Sequence, residues 1–159
     1  MYSINYTVAK IIKSINTLSL QLYTSSRLLI QLIQSELNEF GLTYPQYLVL
    51  SLLWEKDGLK VNEIGKKLSL DSGTLTPLLK KLEAMNYIKR RRGETDERTV
   101  HAELTYPGKS LQTKVEASIS QFDKSFQKSS TLKINKLNQR LSDLLQELNQ
   151  MKISNKWKS

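Results

Sequence analysis

Residues 61–105 read VNEIGKKLSLDSGTLTPLLKKLEAMNYIKRRRGETDERTVHAELT, and two hydrophobic periods succeed each other within them. Over 61–86 the apolar residues keep the 3.6-residue period of helices. A first helix runs from Val61 to Leu68 with Ile64 and Leu68 facing inward. After the break SLDSG at 69–73, a second runs toward Asn86 with Leu75, Leu78, Leu79 and Leu82 as its buried stripe. Pro77 lies about one turn into this second helix, where its missing N–H costs little; the alternative is a later start at Thr76. From Tyr87 the period drops to two. Tyr87–Arg92 reads as one short strand and Thr99–Thr105 as another, with Val100, Ala102 and Leu104 on one face, Thr99, His101 and Glu103 on the other, and the polar stretch 93–97 as the turn. Two helices across a short turn, followed at once by a hairpin, predict a winged helix-turn-helix.

Working outward, Val8–Phe40 carries apolar residues at 3-4 spacing and predicts a long helix that stops at Gly41. Thr43–Gln46 joins a capping box to an early proline and opens the next helix. That helix is apolar around most of its circumference (Tyr47, Leu48, Leu50, Leu52, Leu53, Trp54), belongs in the core, and ends at Asp57-Gly58. After Pro107-Gly108 helix returns, first with Leu111, Val115, Ile119, Phe122 and Phe126, then with Ile134, Leu137, Leu141, Leu144, Leu148 and Met151. The last set is a narrow heptad seam, which calls for a partner helix. The expected fold is mostly α with a small β-hairpin wing, in a single domain over 1–159. A winged helix-turn-helix module at 43–105 is flanked by dimerisation helices at 1–42 and 106–159, and the assembly expected is a homodimer.

The 159 residues carry a net charge of +9, of which +5 falls in 111–159. This basicity suggests an anionic partner, nucleic acid first, against the plainer alternative of a solubilising surface. Cysteine is absent, which excludes disulfides, thiolate metal sites and a thiol nucleophile. The one histidine, His101, is expected as an ordinary strand residue and excludes a His-rich metal site. Gly-rich phosphate loops, paired catalytic carboxylates and Ser/His/Asp sets are missing, so neither an enzyme nor a metal or cofactor is expected. Lys10 and Lys13 interrupt the N-terminal apolar residues and no 18-residue apolar run occurs. A cytoplasmic protein without a membrane span is the expectation.

The candidate surface lies on the second helix and the hairpin. Ser72, Thr74 and Thr76 offer hydroxyls to phosphates or base edges, Gly73 permits close backbone approach, and Pro77, Lys80 and Lys81 extend the solvent side. Lys89, Arg90, Arg91 and Arg92 form the densest positive cluster. Arg98 suits insertion into a narrow minor groove, with Asp96 placed to fix its guanidinium. Structural roles compete: Asp71 or Ser72 as an ordinary N-cap, Asp96 and Arg98 as a hairpin brace.

Three stretches carry a family resemblance: LTYPQYLVL at 42–50, LDSGTLTPLLKKLE at 70–83, and Asp96-Glu97-Arg98 followed by Leu104-Thr105. Through them the chain resembles the MarR family of winged-helix bacterial transcription regulators. The DSGTLTP form and SLQLYTSSR at 19–27 are similar to its organic-hydroperoxide-regulator (OhrR) branch and staphylococcal relatives. The resemblance implies a homodimer, usually a repressor, on a pseudo-palindromic double-stranded DNA operator. The 72–81 segment would lie in the major groove and Arg98 in the minor groove. It also implies an effector or sensor region at Ser19, Tyr23, Arg27 and Ile33. In the branch a reactive cysteine stands where this chain has Ser19, and a second tyrosine where it has Ile33. A serine hydroxyl forms no sulfenic acid, so oxidant sensing at that position is excluded. Either a cysteine was replaced to lock the reduced state or the protein senses something else, such as a small apolar or phenolic ligand; Ile33 favours the second. Other readings are a ligand-responsive regulator of stress, antibiotic-resistance or virulence genes, and a winged-helix protein-interaction adaptor.

Overall fold

The computed structural model describes the backbone of residues 2–93 and 99–154, with side chains from Ser14 onward. The elements are α1 (Tyr2–Leu37), a 3-10 turn (Asn38–Phe40), α2 (Tyr44–Glu55), β1 (Leu59–Lys60), α3 (Val61–Leu68), α4 (Ser72–Ala84), β2 (Ile88–Arg92), β3 (Val100–Leu104), α5 (Tyr106–Ser129) and α6 (Ile134–Ser154). Residues up to Ile119 make one compact unit and those from Ser120 a second.

In the first unit the three helices α2, α3 and α4 close over a small antiparallel sheet of order β1-β3-β2. Leu50 and Leu53 of α2, Ile64 of α3, Leu75, Leu79 and Leu82 of α4, and Ile88 and Ala102 of the sheet meet in one buried cluster, which Leu37 of α1 and Val115 of α5 complete. Each such leucine or isoleucine contributes about 1.5–3 kcal/mol by leaving water. The expected stripe on α4 is therefore the one buried, with Leu78 half-buried at its edge.

Both helices of the pair end in the same way. Ser69 and Asn86 adopt left-handed φ values of 54° and 57°. The N–H of Leu70 then bonds the Gly65 carbonyl and that of Tyr87 the Leu82 carbonyl, at 2.9 and 3.0 Å, the six-to-one closure of a Schellman motif. At the other end of α4 the Asp71 carboxylate caps the helix, accepting the Thr74 N–H at 2.8 Å. α4 therefore starts at Ser72 and not at Thr76, and Pro77 lies inside it.

Two features depart from the expectation. The sheet has a third strand: β1 pairs with β3 at Leu59–Ala102 and Lys60–His101. Two residues are too short for a period-two signal, and the imidazole Nδ1 of His101, 2.9 Å from the Gly58 carbonyl, helps hold them. Pro107-Gly108 is also no break before a helix; both residues belong to the first turn of α5. Proline is tolerated there, and the Thr105 hydroxyl accepts the Gly108 N–H at 3.1 Å as an N-cap would. Glycine is required at 108 because a Cβ would lie 2.0 Å from the Tyr87 carbonyl oxygen. The Trp54 indole N–H donates to the Gly108 carbonyl at 2.9 Å and ties α2 to the same point.

Candidate nucleic-acid interface

The surface of α4 follows from its capping and its stripe. With Leu75, Leu79 and Leu82 buried, the helical period turns Gly73, Thr74, Thr76, Pro77, Lys80 and Lys81 outward, and with Ser72 all seven predicted residues of this helix are exposed. Thr74 is partly engaged: its hydroxyl lies 3.3 Å from the other Asp71 oxygen. The Thr74 backbone N–H holds the Asp71 carboxyl below the usual aspartate value. A Cβ at Gly73 would sit 3.1 Å from the capping oxygen of Asp71, which would have to give by a few tenths of an ångström.

The strand cluster divides. Lys89, Arg91 and Arg92 are exposed on β2, whereas Arg90 is half-buried against Glu83 near the end of α4. Glu83 accepts three bonds there: the Arg90 backbone N–H at 3.0 Å, its Nε–H at 2.9 Å and its Nη2–H at 2.6 Å. The guanidinium bonds, then the backbone bond, hold the Glu83 carboxyl below its usual value. Arg91 makes a single ion pair with Glu103 at 3.1 Å, both side chains well exposed, a geometry of small net worth. The strands pair from Ile88–Leu104 to Arg92–Val100, and the Gly93 N–H bonds the Thr99 carbonyl at 2.9 Å, so both arms of the wing leave the sheet in register. Asp96 and Arg98 lie outside the described residues.

Under the wing, Asp57 accepts the backbone N–H groups of Gly58 and Leu104 at 2.9 and 2.8 Å and pairs with Lys109 at 3.0 Å. Partial burial pushes this carboxyl upward, but the Leu104 and Lys109 hydrogen bonds outweigh it and the net shift is down. Neither Asp57 nor Glu83 was singled out as a site residue in the sequence. Their partners lie 47 and 7 positions away on other elements, outside the period of the element each residue belongs to; the one available signal for Glu83 was a lone carboxylate inside the basic run 80–92.

On α1, Ser19, Tyr23 and Arg27 are exposed while Ile33 packs against the core. The Tyr23 hydroxyl accepts a bond from Arg27 at 3.2 Å, and the guanidinium carbon stands 5.6 Å from the ring centre. The Ser19 hydroxyl donates to the Asn16 carbonyl at 3.0 Å. Tyr23 and Arg27 thus form a pair, whereas Ile33 is half-buried against the edge of the core. Among the described residues no group of His, Asp or Glu is placed to hold a metal ion, and no helix is long and apolar enough to cross a membrane.

Comparison with known proteins accords with this geometry. The sequence profile of the family described as transcriptional regulator SarA/Rot matches residues 31–117. The HTH-type transcriptional regulator TtmR of Methylorubrum extorquens is 55% identical over 83 residues, 52% of this chain and 43% of its own length. The organic hydroperoxide resistance transcriptional regulator of Bacillus subtilis is 48% identical over 99 residues, 62% of this chain and 67% of its own. The chain thus spans between about two fifths and two thirds of these curated relatives. Among solved structures, reduced AbfR bound to DNA superposes with a TM-score of 0.78 at 35% identity, covering 89% of this chain and 98% of that one; AbfR is a protein of Staphylococcus epidermidis. The profile match over more than half of the residues, on a winged helix-turn-helix with this exposed α4, establishes that the chain belongs to the SarA/Rot family of transcriptional regulators, of MarR type and near the organic hydroperoxide regulators.

Proposed function

We propose that the protein is a cytoplasmic DNA-binding regulator that acts as a homodimer, repressing transcription from a pseudo-palindromic operator. The observation that carries this reading is α4: its apolar side is consumed by the core, and its other side presents Ser72, Thr76, Lys80 and Lys81 to solvent beside the cations of β2. Hydroxyls near a helix N-terminus suit phosphates and base edges, and the lysines add charge neutralisation. Lys89, Arg91 and Arg92 extend the positive surface toward the wing, where Arg98 and Asp96 complete the proposed contact in the minor groove. The dimer is supported by apolar side chains left in solvent on α1 and α6, among them Ile15, Leu29, Leu145 and Leu148. AbfR, at 35% identity, was captured on DNA.

AbfR is also known in overoxidized and disulfide-formed states. A chain without cysteine has no counterpart to them, so the proposed effector is a ligand and peroxide leaves DNA binding unchanged. The Tyr23–Arg27 pair and Ser19 on α1 are the proposed region of response.

A salt titration of binding to a duplex selected from a random pool tests the reading. Contacts to Z phosphates give a slope of about −0.9Z in log affinity against log salt. A flat titration, or no bound duplex, would favour a protein-interaction adaptor instead. Arg98→Ala should cost about 1–3 kcal/mol of operator binding, read at fixed salt.

A further inference from the structure

The four cations of β2 look equivalent in sequence but differ in what they touch. Lys89, Arg91 and Arg92 are exposed, and the one ion pair Arg91 makes is solvent-open and easily exchanged for a phosphate. Arg90 is the half-buried member. Its Nε and Nη2 both converge on one oxygen of Glu83, and the other oxygen takes its backbone N–H. β2 is an edge strand of the sheet, and this bond satisfies a main-chain donor that edge strands otherwise leave to water. One carboxylate near the end of α4 is thereby fastened to both the main chain and the side chain of the strand that leads into the wing.

We propose that Glu83 and Arg90 are positioning residues that fix the angle between α4 and the wing, and that Arg90 is not among the cations that neutralise DNA phosphates. The inference rests on the DNA-binding reading above and deepens it. Moving Arg90 onto a phosphate would break the guanidinium bonds to Glu83 and leave a bare carboxylate near the exposed side of α4, where it would repel the polyanion. Kept as a pair, the two groups contribute no net charge to the surface. What they supply is geometry: a two-part reader engages two grooves at once only if its parts are held at a set separation.

The test uses the full-length protein and the tightest duplex that the wild type selects from a random pool, with affinity measured across a range of salt and each variant checked for folding by thermal melting. Arg90→Lys keeps the charge but loses the fork; Glu83→Gln keeps the shape but loses the charge. Each is expected to weaken binding roughly five- to tenfold with the salt slope of the wild type, and the double variant to be no weaker than either single one. Wild-type affinity in Arg90→Lys, tighter binding in Glu83→Gln, or a slope shallower by about one in Arg90→Ala would each overturn the proposal. The two conservative variants decide the matter even where Arg90→Ala does not fold. Should the wild type itself show no salt-dependent binding to any duplex, the DNA-binding reading fails; normal wild-type binding with an indifferent Arg90→Lys removes this inference alone.

Discussion

α4 and α6 are both helices with a leucine stripe, and they treat it in opposite ways. On α4 the stripe is the core of the winged unit, Leu82 wholly buried and Leu75 nearly so, and the exposed side is polar. On α6 most of the stripe meets solvent: Leu137, Leu141, Leu148 and Met151 are between 39% and 51% exposed, and Ile134 and Leu144 are half-buried. A helix whose apolar side is already satisfied is free to offer its polar side to a ligand. One whose apolar side stays wet is unfinished until another surface covers it, and a 3-4 seam is best covered by a second helix.

The comparison breaks most directly at its buried end. Leu82→Ala should lower unfolding stability by about 2–5 kcal/mol in a denaturant titration, as large-to-small changes in packed cores do. The same truncation on the other stripe, Leu141→Ala, should move unfolding of the winged unit by less than about 0.5 kcal/mol while weakening self-association, read by sedimentation equilibrium. Equal loss of winged-unit stability in both would mean that the two stripes do the same job. On the outward side of α4, Lys81→Ala should leave stability and self-association in place and reduce the salt slope of DNA binding by about one.

The smallest effect is acidic. Asp57, Asp71 and Glu83 are all held below their ordinary values of 3.8 and 4.5. The stability they add is complete above those ordinary values and is lost as pH falls through the lower values of the folded state. Asp71 is exposed, and Asp57 and Glu83 each keep 36% of their side-chain surface in solvent, which screens these interactions, so the loss is modest. It should show as lower amide protection, taken relative to the intrinsic exchange rate at each pH, in α4 and β2 below about pH 4.5, with α6 unaffected, since none of the three lies on it. Asp57→Asn should remove part of the acid dependence.

Much of this was legible in the chain because it was written locally. The boundaries of α3 were given by the period of Ile64 and Leu68, the opening of α2 by Thr43–Gln46, where the Gln46 side chain accepts the Thr43 N–H at 2.8 Å, and the strands of the hairpin to within a residue at each end. The outward side of α4 was readable for the same reason. What stayed hidden depended on partners far along the chain: β1, held by His101; Gly108, inside a helix because it must pass close to Tyr87; Asp57, waiting for Leu104 and Lys109. Arg90 is the clearest case at the site. Four consecutive cations have one meaning in a charge count, and only the approach of Glu83 separates them.

By itself the sequence determined the helix-turn-helix and wing, the side of α4 left for a ligand, and the impossibility of thiol chemistry, because period, capping and composition act within a few residues. The tertiary structure decided which of those charges remain available and which are spent holding α4 to β2. A hydrogen bond is set by distance in space, and folding brings Glu83 and Arg90 together where no period in the sequence marks them as a pair.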